Sequence, residues 1–110
     1  MSSPSTRHPS LAIILEVTAD EFGVSVPDLR SVKKCRKIAR PRQVVMYLAR
    51  HLTLLSLPAI GRDLGDRDHT TVMHGIDKVA DLMDGDPTLR ARVHLLKDAL
   101  AQTHIHAVPA

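Results

Sequence analysis

Two runs in the second half of the chain repeat apolar residues at spacings of four, three and four: Val72, Ile76, Val79 and Met83, then Leu89, Val93, Leu96 and Leu100. That period puts each set on one face of an α-helix and would scatter it over both faces of a strand. Earlier segments agree. Leu11, Ile14, Leu15, Thr18 and Phe22 share a helical face, and so do Val44, Val45, Leu48, Leu52 and Leu55. With one Phe, one Tyr and no Trp in 110 residues, the core has to be aliphatic, and no alternating strand pattern competes. The length suits one domain. The expectation is an all-α fold, a compact bundle of about six helices.

Local signals set the boundaries. Ser10 can cap a helix from Leu11, and Gly23 stops it. Ser25-Val26-Pro27-Asp28 has the form of a capping box opening a short turn of helix. Arg30 to Lys37 has no period and reads as a loop. Pro41 fits the first turn of a long helix running to about Leu55. Ser56 caps the next one, with Leu57, Ile60 and Leu64 inward and Gly65 at its end. Asp66-Arg67-Asp68 reads as a polar turn, followed by a helix from His69 to Gly85 and a last one from Pro87. Residues 1–9 read as a disordered Pro/Ser-rich tail, 10–103 as the folded unit and 104–110 as a frayed tail.

The net charge is only +3, but its distribution is uneven. No acidic residue stands between Asp28 and Asp63, a stretch holding Arg30, Lys33, Lys34, Arg36, Lys37, Arg40, Arg42, Arg50 and Arg62. Such a segment fits a polyanionic partner. A solvated basic face is the plain alternative. An anionic membrane surface fits poorly, because the cations do not line one face of an apolar helix. A single cysteine, Cys35, excludes an internal disulfide and fits a reducing compartment. With no apolar leader and no run long enough to span a bilayer, the expected location is the cytoplasm.

A short helix, a tight turn with Gly65 and a longer second helix make a helix-turn-helix. The start of the second helix would enter the major groove, and here it reads Arg67-Asp68-His69-Thr70-Thr71. Arg suits guanine O6 and N7, Asp accepts from cytosine N4, and Thr offers a hydroxyl and a methyl. Asp68 alone could be no more than a helix cap, but a cap needs one polar residue and not five. Farther along, Met73, His74 and Lys78 face outward, with Lys78 placed for a phosphate.

Other chemistry finds little support. His69 and His74 are five apart and do not share a helix face, and no cysteine pair exists, so no metal site is expected. His51 and Cys35 lack any group to orient them as a nucleophilic pair. Phe22 and Tyr47 are too few to stack single-stranded bases. No phosphate-binding Gly-rich loop is present, so no cofactor and no enzymatic activity are expected.

The strings Ile38-Ala39-Arg40-Pro41-Arg42-Gln43, Ser56-Leu57-Pro58-x-Ile60-Gly61 and Gly65-x-Arg67-Asp68-His69-Thr70-Thr71-Val72 together resemble the C-terminal DNA-binding domain of DnaA, the bacterial chromosomal replication initiator. The likeness covers roughly Leu11 to Leu100. It implies recognition of short asymmetric duplex sites, DnaA boxes; the amphipathic stripes are narrow enough to be consumed by one core, so a monomer is expected. Asp68, His69, Thr70 and Thr71 would reach bases and backbone in the major groove. Lys34 would enter the adjacent minor groove, where the family carries Arg; a point charge replaces a planar fork, so readout there should differ. Backbone contacts would fall to Cys35, Arg36, Arg42, Gln43, Arg50, Thr53, Leu57, Pro58, His74 and Lys78, with Cys35 where the family has a small hydroxyl residue. The ATPase domain of the full initiator has no counterpart, and the opening Met1 with a short tail reads as a free-standing version of the domain. The expected function is sequence-specific double-stranded DNA binding in replication initiation or its regulation. Two alternatives stand: a helix-turn-helix transcriptional regulator, and a DNA-anchoring adaptor that recruits a protein partner in replication control. Exposed apolar residues on the last helix would favour the adaptor.

Overall fold

The computed structural model describes residues 8–106, with side chains to residue 101. Six helices occupy the described residues, without a strand: α1 (Leu11–Phe22), α2 (Val26–Leu29), α3 (Arg36–Leu52), α4 (Leu57–Arg62), α5 (His69–Gly85) and α6 (Pro87–His106). Most boundaries are set by side chains next to them in sequence. Ser10 Oγ accepts from the Ile13 N–H at 3.1 Å, Ser25 Oγ from Asp28 at 3.1 Å and Ser56 Oγ from Ala59 at 3.2 Å. Each satisfies one backbone donor that a helix start leaves open. Gly23, at φ 68°, closes α1 by returning its N–H to the carbonyls of Ala19 and Asp20.

The central element is α3, which packs against every other helix. Val44, Val45 and Leu48 from α3, Ile14 and Leu15 from α1, Val72 and Val79 from α5, and Val93 and Leu100 from α6 are all fully buried. The buried set contains no aromatic residue, as the composition requires. The most extensive helix pairing is between α3 and α5. At Gly75 a Cβ would run into Met46 Sδ and lie 3.3 Å from Gln43 Cγ, so a larger residue would have to displace the Met46 side chain.

Three boundaries differ from expectation. Helix α3 starts at Arg36, five residues before Pro41, so Pro41 sits in its second turn. Proline is tolerated because it forfeits only the bond to the carbonyl of the exposed Lys37, and its ring is buried. The same helix ends at Leu52 and not at Leu55, because Thr53 turns extended, donates Oγ1 to Ala49 O at 2.6 Å and accepts from Leu55 N at 3.1 Å. Helix α6 continues to His106, beyond the boundary expected at residue 103. The tail expected over 1–9 is described only at His8 and Pro9, and 107–110 lie outside the described residues.

Among the described residues, one buried side-chain polar atom is left over: Thr18 Oγ1, in the α1 face, has no hydrogen-bond partner. A buried hydroxyl without a partner costs on the order of 1–3 kcal/mol. Thr18→Val should therefore raise stability by about 1 kcal/mol, a rise of roughly 4–8 °C in melting temperature. Thermal unfolding followed by circular dichroism tests this; an unchanged or lowered midpoint would mean that the hydroxyl is satisfied.

Candidate nucleic-acid interface

The turn between α4 and α5 fixes how the second helix is presented. Gly65 takes φ 80°, and a Cβ there would strike the Arg67 guanidinium and lie 2.5 Å from the Ser31 carbonyl oxygen. Asp66 follows at φ 57°, a left-handed conformation that Asp tolerates better than most residues. Then Asp68 caps α5, its Oδ1 accepting from the Thr71 N–H at 2.8 Å. That backbone donor holds the Asp68 carboxyl below its usual range. A carboxyl depressed in the folded chain adds stability that is present above its unfolded value and is lost as pH falls through the folded one.

Past the cap, Val72, Gly75 and Val79 face the core, while His69, Thr70, Thr71, Met73, His74 and Lys78 are exposed. The polar start of α5 thus lies open to solvent. Facing it is the loop between α2 and α3. Lys34 from that loop, Gln43 from α3 and Thr71 from α5 line one concavity of about 460 Å³, with Val32 at its edge. Val32 is 73% exposed, an apolar residue at the mouth of a basic cleft that sequence reasoning did not single out.

The loop is held from beneath by two arginines. Arg42 is only 2% exposed. Its Nε donates to the Leu29 carbonyl at 2.9 Å, Nη1 to Lys33 at 2.8 Å, and Nη2 to Asp28 at 3.0 Å and Ser31 at 3.1 Å. Arg67 joins it from the other side. Its Nη1 donates to Ser31 O at 2.9 Å and Leu64 O at 2.6 Å, and Nη2 reaches Lys33 O at 3.4 Å. Burial lowers both guanidinium pKa values, and for Arg42 the neighbouring Arg67 adds to the effect. Two expectations are corrected here. Arg42 is turned inward, with four of its five N–H donors on backbone carbonyls, and Arg67 spends both terminal nitrogens on the carbonyls of Ser31, Leu64 and Lys33. The signal for Arg42 was in the sequence: Ile38, Arg42, Val45 and Ala49 follow the four-three-four spacing once α3 is started at Arg36. Arg67 has no comparable signal, because its partners lie up to 36 residues away.

The other expected residues fall in several places. Cys35 is exposed at the N-cap of α3 and makes no side-chain cap bond. Arg36 is exposed on the first turn. Gln43 and Arg50 are two turns apart on one face of α3, with Gln43 Oε1 accepting from Arg40 Nη1 at 2.8 Å. Thr53 closes α3; Leu57, half-buried, and Pro58, exposed, open α4. His74 and Lys78 lie four apart on α5. Parts of the basic stretch are already neutralised: Arg30 pairs with Asp63 at 3.3 Å and Lys33 with Asp28 at 2.9 Å. Among the described residues, Lys34, Arg36, Lys37, Arg50 and Arg62 enter no ion pair.

This arrangement, a short helix and a glycine turn presenting the polar start of a second helix beside a basic loop, coincides with a known family. The family described as bacterial DnaA protein helix-turn-helix matches residues 11–79. The chain belongs to that family. It is 44% identical over 94 residues to the chromosomal replication initiator protein DnaA of Gluconobacter oxydans and 48% identical over 94 residues to that of Aromatoleum aromaticum, covering 86% of this chain and 20% of each relative. The chain therefore spans about a fifth of the length of these relatives. Its fold is similar to the crystal structure of a DNA replication initiation factor, with a TM-score of 0.75 and 30% identity over 84% of this chain and 28% of the other. Among the described residues, no helix of this DnaA-family chain is long and apolar enough to cross a membrane.

The inward arginines make a separable prediction. Arg42→Met removes the donors from four backbone carbonyls of α2 and the loop after it and should cost about 2–4 kcal/mol of stability. Arg50→Ala, at an exposed site, should leave stability within about 0.5 kcal/mol of the parent. Urea unfolding of both variants tests the assignment; an Arg42→Met protein as stable as the parent would contradict it.

Proposed function

We propose that this chain binds double-stranded DNA sequence-specifically at short asymmetric sites of the DnaA-box kind, in chromosomal replication initiation or its regulation. The observation that carries the reading is the concavity lined by Lys34, Gln43 and Thr71 beside the solvent-exposed start of α5. In this reading Asp68, His69, Thr70 and Thr71 enter the major groove. Asp68 keeps one carboxylate oxygen for its cap and offers the other outward. Lys34 reaches into the neighbouring minor groove, attracted by its negative potential.

The phosphates on either side fall to groups at the helix ends. The start of α3, where Cys35 supplies no side-chain cap, leaves backbone N–H groups able to take a phosphate, with Arg36 beside them. Gln43, Arg50, Thr53, Leu57, Pro58, His74 and Lys78 extend the positioning contacts along α3, α4 and α5. Arg42 and Arg67 act indirectly, by holding the Lys34 loop at the right distance from α5. The sequence carries no Gly-x4-Gly-Lys-Ser/Thr phosphate loop, so the chain binds without ATPase activity of its own. Bound as a monomer to boxes that a full-length initiator also occupies, it competes by mass action and modulates initiation.

A second reading has one observation in its favour. Leu95 on α6 is 65% exposed, a large apolar side chain outside the core. An adaptor that holds DNA through α5 and a protein through α6 would use such a residue.

Binding of this kind has a distinct signature. Lys34, Arg36, Arg50 and Arg62 together with Lys78 should neutralise about five phosphates, so log Kd should rise against log salt with a slope of about 5. His69→Ala and Thr70→Ala should each cost about 1–3 kcal/mol on a box-bearing duplex and little on random duplex. Arg50→Ala should weaken both alike. Fluorescence anisotropy across a salt series checks all three, and equal losses on both duplexes for every variant would mean that α5 does not read bases.

A further inference from the structure

A second concavity, of about 410 Å³, opens toward the far end of α5 and shares Arg36 with the proposed DNA face. Phe22 of α1, Pro41 of α3 and Leu82 of α5 form its apolar floor, and Lys37, Arg40 and Arg92 supply cations around it. Leu82 is eleven residues along α5 from Thr71, roughly 16 Å by the helical rise. We propose that this groove docks an amphipathic acidic segment of a partner protein, one that alternates carboxylates with large apolar side chains.

Three observations specify that occupant. The first is charge. Lys37 is exposed and enters no ion pair among the described residues. Arg92 is held in place: its Nε donates to Glu21 Oε2 at 2.9 Å, its Nη2 to Glu21 O at 2.9 Å, and its guanidinium lies 4.1 Å over the Phe22 ring. Fixed in this way, it keeps Nη1 for a carboxylate at little further cost in side-chain entropy.

The second observation is the floor. Phe22 and Leu82 are only half-buried, so apolar surface lies open between the cations. A carboxylate-bearing segment with Leu or Phe between its charges covers both kinds of surface at once. The third is continuity along α6. Thr88 and Arg92 line the groove, and Leu95 follows at the next helical spacing, so one face of α6 carries the groove wall into the exposed Leu95. That face gives the segment an apolar anchor beyond the cations.

A flanking stretch of duplex is the competing occupant, since Arg36 lines this groove and is also assigned a phosphate. The rim argues against it. Asp86 lines the groove, and Asp84 is exposed beside it at the end of α5. A phosphodiester chain is negative at every step and meets those carboxylates unfavourably. A peptide can place an uncharged or basic residue opposite them. Nor does a duplex backbone supply apolar side chains for Phe22 and Leu82.

The groove proposal does not depend on the DNA reading, and the test separates the two. The probe is a fluorescent four-turn peptide with Glu and Leu at helical spacings, compared with polyglutamate of equal charge and with a box-bearing duplex. The amphipathic peptide should bind saturably and at least about tenfold tighter than polyglutamate. Lys37→Glu and Leu95→Ser, both at exposed positions and checked for folding by circular dichroism, should each weaken the peptide by about tenfold and leave duplex affinity unchanged. Peptide and duplex should also bind together. Equal binding of polyglutamate, no peptide binding, or unaltered peptide affinity in both variants would overturn the proposal. So would a Lys37→Glu protein that lost duplex affinity as strongly as peptide affinity, because the groove would then belong to flanking DNA.

Discussion

The geometry of the proposed DNA face depends on two guanidinium groups that share the carbonyls of one loop. Arg42 rises from α3 and Arg67 from the turn before α5, and both donate to Ser31 O and Lys33 O. Burying a cation without a carboxylate is costly, and neighbouring like charges add to that cost. What offsets it is geometry. A guanidinium is a planar fork of five donors, and the loop turns its carbonyls inward around it. Lysine, with one compact ammonium, could not meet four carbonyls spread over Asp28, Leu29, Ser31 and Lys33. Carbonyls that point inward to Arg42 leave the side chains of Val32 and Lys34 pointing out. The same interaction therefore fixes the loop and determines what it shows to solvent.

From that clamp follows the relation between the loop and the start of α5. Arg67 belongs to the turn that aims α5, so loop and helix are tied to one group. Gly65 has to be glycine because the clamp passes where its Cβ would stand. Gly75 lets α5 lie against α3, the helix that supplies Arg42. Lys34, Gln43 and Thr71 meet around one concavity because the three elements carrying them are locked together by these contacts. In the proposed DNA reading, one rigid surface presents both a major-groove reader and a minor-groove cation and needs little rearrangement on binding, which lowers the entropic cost of association.

How much of this was legible in the sequence depends on the range of the interaction. Ser10, Ser25, Ser56 and Asp68 cap helices through donors three residues away, and each was readable from its neighbours. The aliphatic stripes of α5 and α6 were readable from period alone. The start of α3 was not, because Pro41 imitates a first-turn residue and the five residues before it are mostly charged. That misplacement hid Arg42, since an arginine at a core position is recognisable only when the helix is drawn at full length. Arg67 was misread for a different reason. In sequence it stands next to Asp68, His69 and the threonines, and only the folded chain turns its side chain away from them towards Ser31 and Lys33. Adjacency in sequence does not fix which way a side chain points.

The central claim is that the Arg42–Arg67 clamp makes the Lys34 loop and the start of α5 one surface that meets DNA together. Amide chemical-shift mapping of the labelled protein during titration with a box-bearing duplex tests it most directly. The account predicts that Ser31 to Cys35 and Asp68 to His74 shift in the same titration with one dissociation constant, while the Arg42 and Arg67 guanidinium protons stay protected from exchange. Shifts confined to α5 with a loop that does not respond, or arginine protons that exchange freely in the absence of DNA, would contradict it.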